Sequence, residues 1–165
     1  MRNLRMVLLL AAVWCVGLAS GCSQTCSINQ SGDVVTLQNQ HVSFDYDLAR
    51  GVYRVVDNKN ASAPVTNASL KINEWATTDK GLKQSWTQRA VSDELGAGLC
   101  MDLKIESADR PTLLFSFVIY ENQGFLTLSA GLANTTDKPI QVKDIYALAD
   151  GGIYSGADVS QNFAM

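Results

Sequence analysis

Hydrophobic and polar positions alternate most clearly between Pro111 and Asn134, read as PTLLFSFVIYENQGFLTLSAGLAN. Leu113, Phe115, Phe117 and Ile119 occupy every second position, and after Glu121-Asn122-Gln123-Gly124 the alternation resumes at Leu126, Leu128, Ala130 and Leu132. Two period-two runs joined by a glycine-containing turn predict an antiparallel β-hairpin. Leu114 and Val118 make the first run apolar on its other face as well, which predicts a strand inside a sheet with material packed on both sides. Thr127, Ser129 and Gly131 leave the second strand one weaker face.

The same pattern extends along the chain on either side. Val34 to Leu37 predicts a short strand, and Val42, Phe44 and Tyr46 alternate before a loop at Asp47–Gly51 that returns through Val52 to Val56. Asp57-Asn58-Lys59-Asn60 and Pro64 interrupt the pattern, a composition typical of loops. Ser69 to Trp75 and Leu82 to Val91 predict two further strands, and Leu99, Met101, Leu103 and Ile105 mark one whose other side, with Asp102, Lys104 and Glu106, is charged. Ile140 to Leu148 predicts the last strand. About nine strands at this close spacing, with no sustained helical period after the leader, predict an all-β antiparallel sandwich or barrel.

Residues 1–21 stand outside that pattern. Arg2 and Arg5 precede an apolar run from Met6 to Leu18, which is shorter than the roughly 20 residues needed to span a bilayer as a helix and reads as an export signal. Leu18-Ala19-Ser20-Gly21-Cys22 resembles the bacterial lipoprotein signal, with the leucine one position further out than usual. That resemblance implies lipidation of Cys22 and a membrane anchor, periplasmic or at the cell surface. Ordinary signal cleavage, which would release a secreted protein, is the alternative. Cys22 to Gly32, polar apart from Ile28, reads as a flexible tether, and residues 33–150 as the folded domain. Residues 151–165 show no alternation and end on Phe163-Ala164-Met165, which reads as a tail cut short.

Composition narrows the function. The leader carries two of the 13 basic residues, so 11 basic against 16 acidic residues follow it, and the resulting charge of −5 argues against nucleic acid as a partner. With a single histidine, His41, and with Cys22, the one cysteine closely spaced to Cys26 after the leader, read as the lipid site, the sequence predicts neither a metal site nor a cofactor. Cys26 and Cys100 either pair in the oxidising exported compartment or remain apart, Cys100 as a buried thiol and Cys26 in the tether; their spacing leaves both readings open. Asp102 and Glu106 lie on the charged face of their strand, where solvation is the simpler reading than acid–base work. Aromatic faces stack on sugar rings, so Trp75, Trp86 and Tyr154 are the aromatic candidates. Trp86, between Ser85 and Thr87, reads as a half-buried core residue, while Trp75 lies near a strand end beside a polar loop.

Three stretches carry a family resemblance: the hairpin FDYDLARGVYRVVD, the strand TLLFSFVIYEN, and GFLTLSAGLANTTDKPIQVKDIYAL, where a strand, an asparagine-containing turn, a proline and another strand follow one another. Together they resemble the N-terminal, galactose-mutarotase-like β-supersandwich domain of melibiase-type, raffinose-synthase-like α-galactosidases. In that family the catalytic aspartates lie in a following (β/α)₈ barrel, so no catalytic residue carries over to this chain. The resemblance implies a non-catalytic sandwich domain of a glycoside hydrolase, with carbohydrate as its partner through an adjoining barrel. It also implies a loop lent to the sugar pocket, for which Trp75 and the Asp150-Gly151-Gly152 turn are the candidates. A free-standing glycan-binding lipoprotein and a structural lipoprotein without sugar contact are the competing expectations.

Overall fold

The computed structural model of the protein describes residues 26–135 and 138–153. These residues are all-β, with twelve strands and no helix among them. In chain order the strands are β1 (Ser27–Ser31), β2 (Val34–Gln38), β3 (Val42–Asp47), β4 (Val52–Asp57), β5 (Ser62–Ile72), β6 (Trp75–Ala76), β7 (Lys83–Asp93), β8 (Gly96–Glu106), β9 (Thr112–Tyr120), β10 (Leu126–Ala133), β11 (Ile145–Ala149) and β12 (Gly152–Ile153). An eight-stranded sheet runs β1-β2-β3-β4-β5-β11, with β6 and β12 also on β5, and a four-stranded sheet runs β10-β9-β8-β7. All the pairings are antiparallel.

Alternation explains how the two sheets meet. Val35, Leu37, Phe44, Tyr46, Leu70 and Ile72 from the large sheet and Met101, Leu103, Ile105, Leu113, Phe115, Phe117 and Ile119 from the small one are buried in one core. At its centre the rings of Phe44 and Phe117 stack with centroids 4.1 Å apart. Burying a side chain of this size contributes about 1.5–3 kcal/mol, so this row accounts for the sandwich without any covalent staple. Polar groups tie the layers at the margins. The Tyr46 hydroxyl donates to Gln84 Oε1 at 2.7 Å, and burial pushes the pKa of that phenol upward. Asn39 Nδ2 donates to the carbonyls of Tyr120 and Gln123, at 2.6 and 2.8 Å, which pins the β2–β3 turn against the end of the central hairpin.

Several expectations change. The predicted tether is a strand from Ser27 onward, so the fold begins before residue 33. A polar segment is carried there by the ladder from Ser27↔Gln38 to Ser31↔Val34, closed by Gly32 at φ 59°. Residues expected in a loop join β5, with Pro64 placed where the β4–β5 register shifts and no ladder donor is required. The run expected from Ile140 to Leu148 becomes a strand only at Ile145, and the start of the predicted tail forms β12. β9 does lie inside a sheet, but Leu114 on its outer face is 40% exposed, so that face is not covered by a further layer among the described residues.

Cys26 and Cys100 are free thiols. Cys26 packs against the core and donates to the Ile119 carbonyl at 3.3 Å. Cys100 alternates with the core residue Met101 and bonds Asp102 on the other face of the small sheet, at 3.3 Å. The sheet itself therefore separates the two sulfurs, which is why this pairing does not form.

Candidate functional site

The end of β5 is shaped by a two-residue turn, Asn73-Glu74, between Ile72 and its ladder partner Trp75. Asn73 adopts φ 52°, a left-handed conformation that asparagine tolerates better than most residues. Its side chain then serves as a clamp: Oδ1 accepts from the Lys143 and Asp144 amides at 2.8 and 3.3 Å, and Nδ2 donates to the Gln141 carbonyl at 2.9 Å. The Asn73 amide also donates to the Asp144 carbonyl at 2.8 Å. One asparagine thus holds the irregular 139–144 segment beside the β5–β6 turn.

Between turn and segment lies an open groove of about 550 Å³, whose lining includes Lys71, Glu74, Trp75, Lys143, Asp144 and Tyr146. Its two aromatics are not equivalent. Trp75 stands opposite Ile72 and is half-buried against the core. Tyr146 stands opposite Lys71 on the outer face, is 46% exposed, and has the Lys71 ammonium 5.7 Å from its ring centroid. A cation over an exposed ring stabilises by about 0.5–1 kcal/mol, enough to bias the orientation of both side chains. The groove therefore offers one solvent-facing ring with two cations and two carboxylates around it.

Trp75 and the Asp150-Gly151-Gly152 turn are not brought together. Gly152 pairs with Thr66, whereas Trp75 pairs with Ile72. Six positions along β5 at about 3.3 Å each put them roughly 20 Å apart. The turn packs tightly on β5: Gly151, at φ 114°, lies so close to it that an added Cβ would sit 2.8 Å from the Ala68 Cα and the Thr66 carbonyl oxygen. Tyr154 and Cys22 lie outside the described residues. Trp86 is half-buried against the core, with its indole N–H donating to Gln30 Oε1 at 2.8 Å. His41 is exposed.

Lys71, Asn73 and Tyr146 were missed in the sequence. An Asn-Glu pair between two large apolar residues was the available sign of a hairpin turn at Asn73. Nothing comparable marked Tyr146, which falls among the apolar positions of the run Ile140 to Leu148.

The remaining carboxylate clusters are committed to structure. Asp45 accepts from Thr36 at 2.6 Å and pairs with Arg54 at 2.6 Å, while Asp47 caps the Ala49 and Arg50 amides at 3.0 Å each. On the outer face of the small sheet Asp102 accepts from Ser116 at 2.5 Å, Arg89 at 2.8 Å and Cys100 at 3.3 Å. Burial alone would raise the Asp102 pKa; the hydrogen bonds from Ser116, Arg89 and Cys100 and the Arg89 charge outweigh it and hold the group below its ordinary value. Cys100 moves the other way, pushed up to about 11 by burial first and then by its bond to Asp102. Glu106 is paired with Lys104 at 2.7 Å. Among the described residues no group of three or more His, Cys, Asp or Glu side chains is placed to hold a metal ion, and no helix is long and apolar enough to cross a membrane.

Comparison with known proteins returns no match among family models, curated proteins or solved structures.

Proposed function

We propose that this chain is the non-catalytic β-sandwich portion of an exported, lipid-anchored carbohydrate-processing protein, and that its contact with sugar lies in the groove beside the β5–β6 turn. One observation carries the reading: the Asn73 clamp brings Lys71, Glu74, Lys143 and Asp144 around an exposed Tyr146 ring. A tyrosine face stacks on the apolar C–H face of a pyranose, and the flanking ammonium and carboxylate groups donate to and accept from its hydroxyls. Such convergence of a few polar groups on an apolar platform is the general form of a small-ligand site. The groove is open, which favours a chain end or a branched glycan over an enclosed monosaccharide. The likeness of the three sequence stretches to α-galactosidase sandwich domains supports the same reading, with bond cleavage assigned to an adjoining barrel.

The test is glycan-array binding by the purified chain without its leader, followed by titration of any glycan that binds. Tyr146→Ala is expected to abolish binding while leaving the far-ultraviolet circular dichroism spectrum unchanged. Trp75→Ala is the less informative variant, because it also removes core packing. Binding that survives Tyr146→Ala and Glu74→Gln together, or hydrolysis of a glycoside by the isolated chain, overturns the proposal. The anchor is tested separately: fatty-acid label should enter the chain in a bacterial host and be lost in Cys22→Ser.

A further inference from the structure

Sheet edges expose unpaired amides and carbonyls, and proteins ordinarily guard them with charge, proline, bulges or short strands. Among the described residues the edges at β7, β1 and β11 are guarded in these ways. β7 carries Lys83, Arg89 and Asp93. β1 is five residues long, and β11 is interrupted by a register shift between Tyr146 and Ala149. β10 has none of these devices. Its sequence, LTLSAGLA, contains no charge and no proline, and it keeps unbroken register with β9 from Leu126↔Ile119 to Ala133↔Thr112. Among the described residues β9 is its only ladder partner. Its inward side chains Leu126, Leu128, Ala130 and Leu132 are only half-buried at the margin of the core.

We infer that β10 pairs antiparallel with β10 of a second copy of this chain, across a two-fold axis at Ser129. Parity selects this class of register. Directly opposed residues of an antiparallel pair share a face, so a ladder that keeps every leucine on the core side must pair even positions with even ones. Centred on Ser129, that ladder sets Leu126 against Leu132, Leu128 against Ala130 and Thr127 against Gly131. The apolar half-exposed positions of one copy then meet those of the other, and the outer face meets in hydroxyls and glycine. The strand has no charge, so meeting itself opposes no like charges, which is the feature that favours a second copy over a charged partner. The result is a continuous eight-stranded sheet built from the two four-stranded ones.

The dyad makes the test specific. Ser129 would face its own symmetry mate with Cα atoms about 4.5–5.5 Å apart, inside the range a disulfide spans. Ser129→Cys is therefore expected to form a covalent dimer on mild oxidation. Thr127→Cys, whose partner is Gly131, is expected to form no covalent dimer, like the wild-type chain with its native thiols. Sedimentation over a concentration series should show a reversible dimer, weakened by about tenfold or more in Ser129→Lys, where two like charges are opposed. Circular dichroism checks that this variant folds; if it does not, the two cysteine variants still decide. A chain that stays monomeric at every concentration overturns the inference. So does a dimer insensitive to a folded Ser129→Lys, or equal cross-linking by Thr127→Cys. Slow amide exchange along β10 in a monomer would assign the edge to another segment of the same chain, and overturns it too.

Discussion

β8 and β9 run side by side from Gly98↔Tyr120 to Ile105↔Leu113 without a break, whereas β5, a strand of eleven residues, meets four partners and changes register against two of them. In the regular pair, alternation alone sorts side chains into core and surface. Along β5 the ladder falls short, and side chains complete what the backbone leaves open. The Tyr53 hydroxyl donates to the Ala147 carbonyl at 2.6 Å, and Ser69 donates to the Ala149 carbonyl at 2.7 Å, on either side of the β11 bulge. Thr77, fully buried, donates to the Gly51 carbonyl at 2.5 Å and accepts from the Leu70 amide at 3.1 Å. Regular pairing produces an unbroken core face, and irregular pairing held by side chains produces the groove.

The two regions should therefore fail differently. Phe117→Ala, in the regular half, is expected to cost about 4 kcal/mol through the cavity opposite Phe44, measured by denaturant unfolding. Gly51→Ala should come close to it, at about 3 kcal/mol, since an added Cβ would fall 1.9 Å from the Thr77 carbonyl oxygen at φ 68°. Gly81→Ala, at φ 75° but in open space, should cost only about 1 kcal/mol, and equal losses at the two glycines would remove the packing argument. Thr77→Val leaves two buried backbone groups without this partner and should cost about 2 kcal/mol. Asn73→Gly keeps the left-handed turn accessible and deletes the clamp. It should cost about 1 kcal/mol in stability yet abolish the glycan binding proposed for the groove, a separation that no core variant would show.

The smallest effect is one of pH. The Cys100 thiol is held neutral in the fold by burial and by Asp102, with its pKa raised to about 11. The stability this contributes is complete below the unfolded thiol's value of about 8.5 and is lost as pH rises from there towards the folded value. Melting temperature should thus fall more steeply above that point in the wild-type chain than in Cys100→Ser. Identical slopes would show that the thiol is not held neutral by its surroundings.

Legibility in the sequence followed the same division. The strands around Phe44, Leu103 and Phe117 were readable because one face is buried and alternation records it. β1 was not, because SINQS has almost no apolar signal and is fixed by backbone pairing to β2. The β5–β6 break at Asn73 was hidden because Ile72 and Trp75 look like one apolar run when the intervening turn is not recognised. That error also moved the aromatic candidate: Trp75 was visible as a tryptophan beside a loop, but Tyr146 is the ring that faces solvent, and only its register opposite Lys71 reveals this. The separation of Cys26 from Cys100 depends on which side of a sheet each occupies, which cannot be read at their distance in sequence.

The contact between Gly51 and Thr77 bears on how the folded chain meets a protease. Trypsin has two basic-glycine bonds to choose from in turns, Arg50-Gly51 and Lys80-Gly81, both with an exposed basic residue. Cleavage requires several residues to unfurl into the enzyme's cleft, and the first bond is riveted from beneath by Thr77 while the second has no neighbour pressing on it. Nicking should begin after Lys80, and the Arg50 site should open only once the β6 strand has come away.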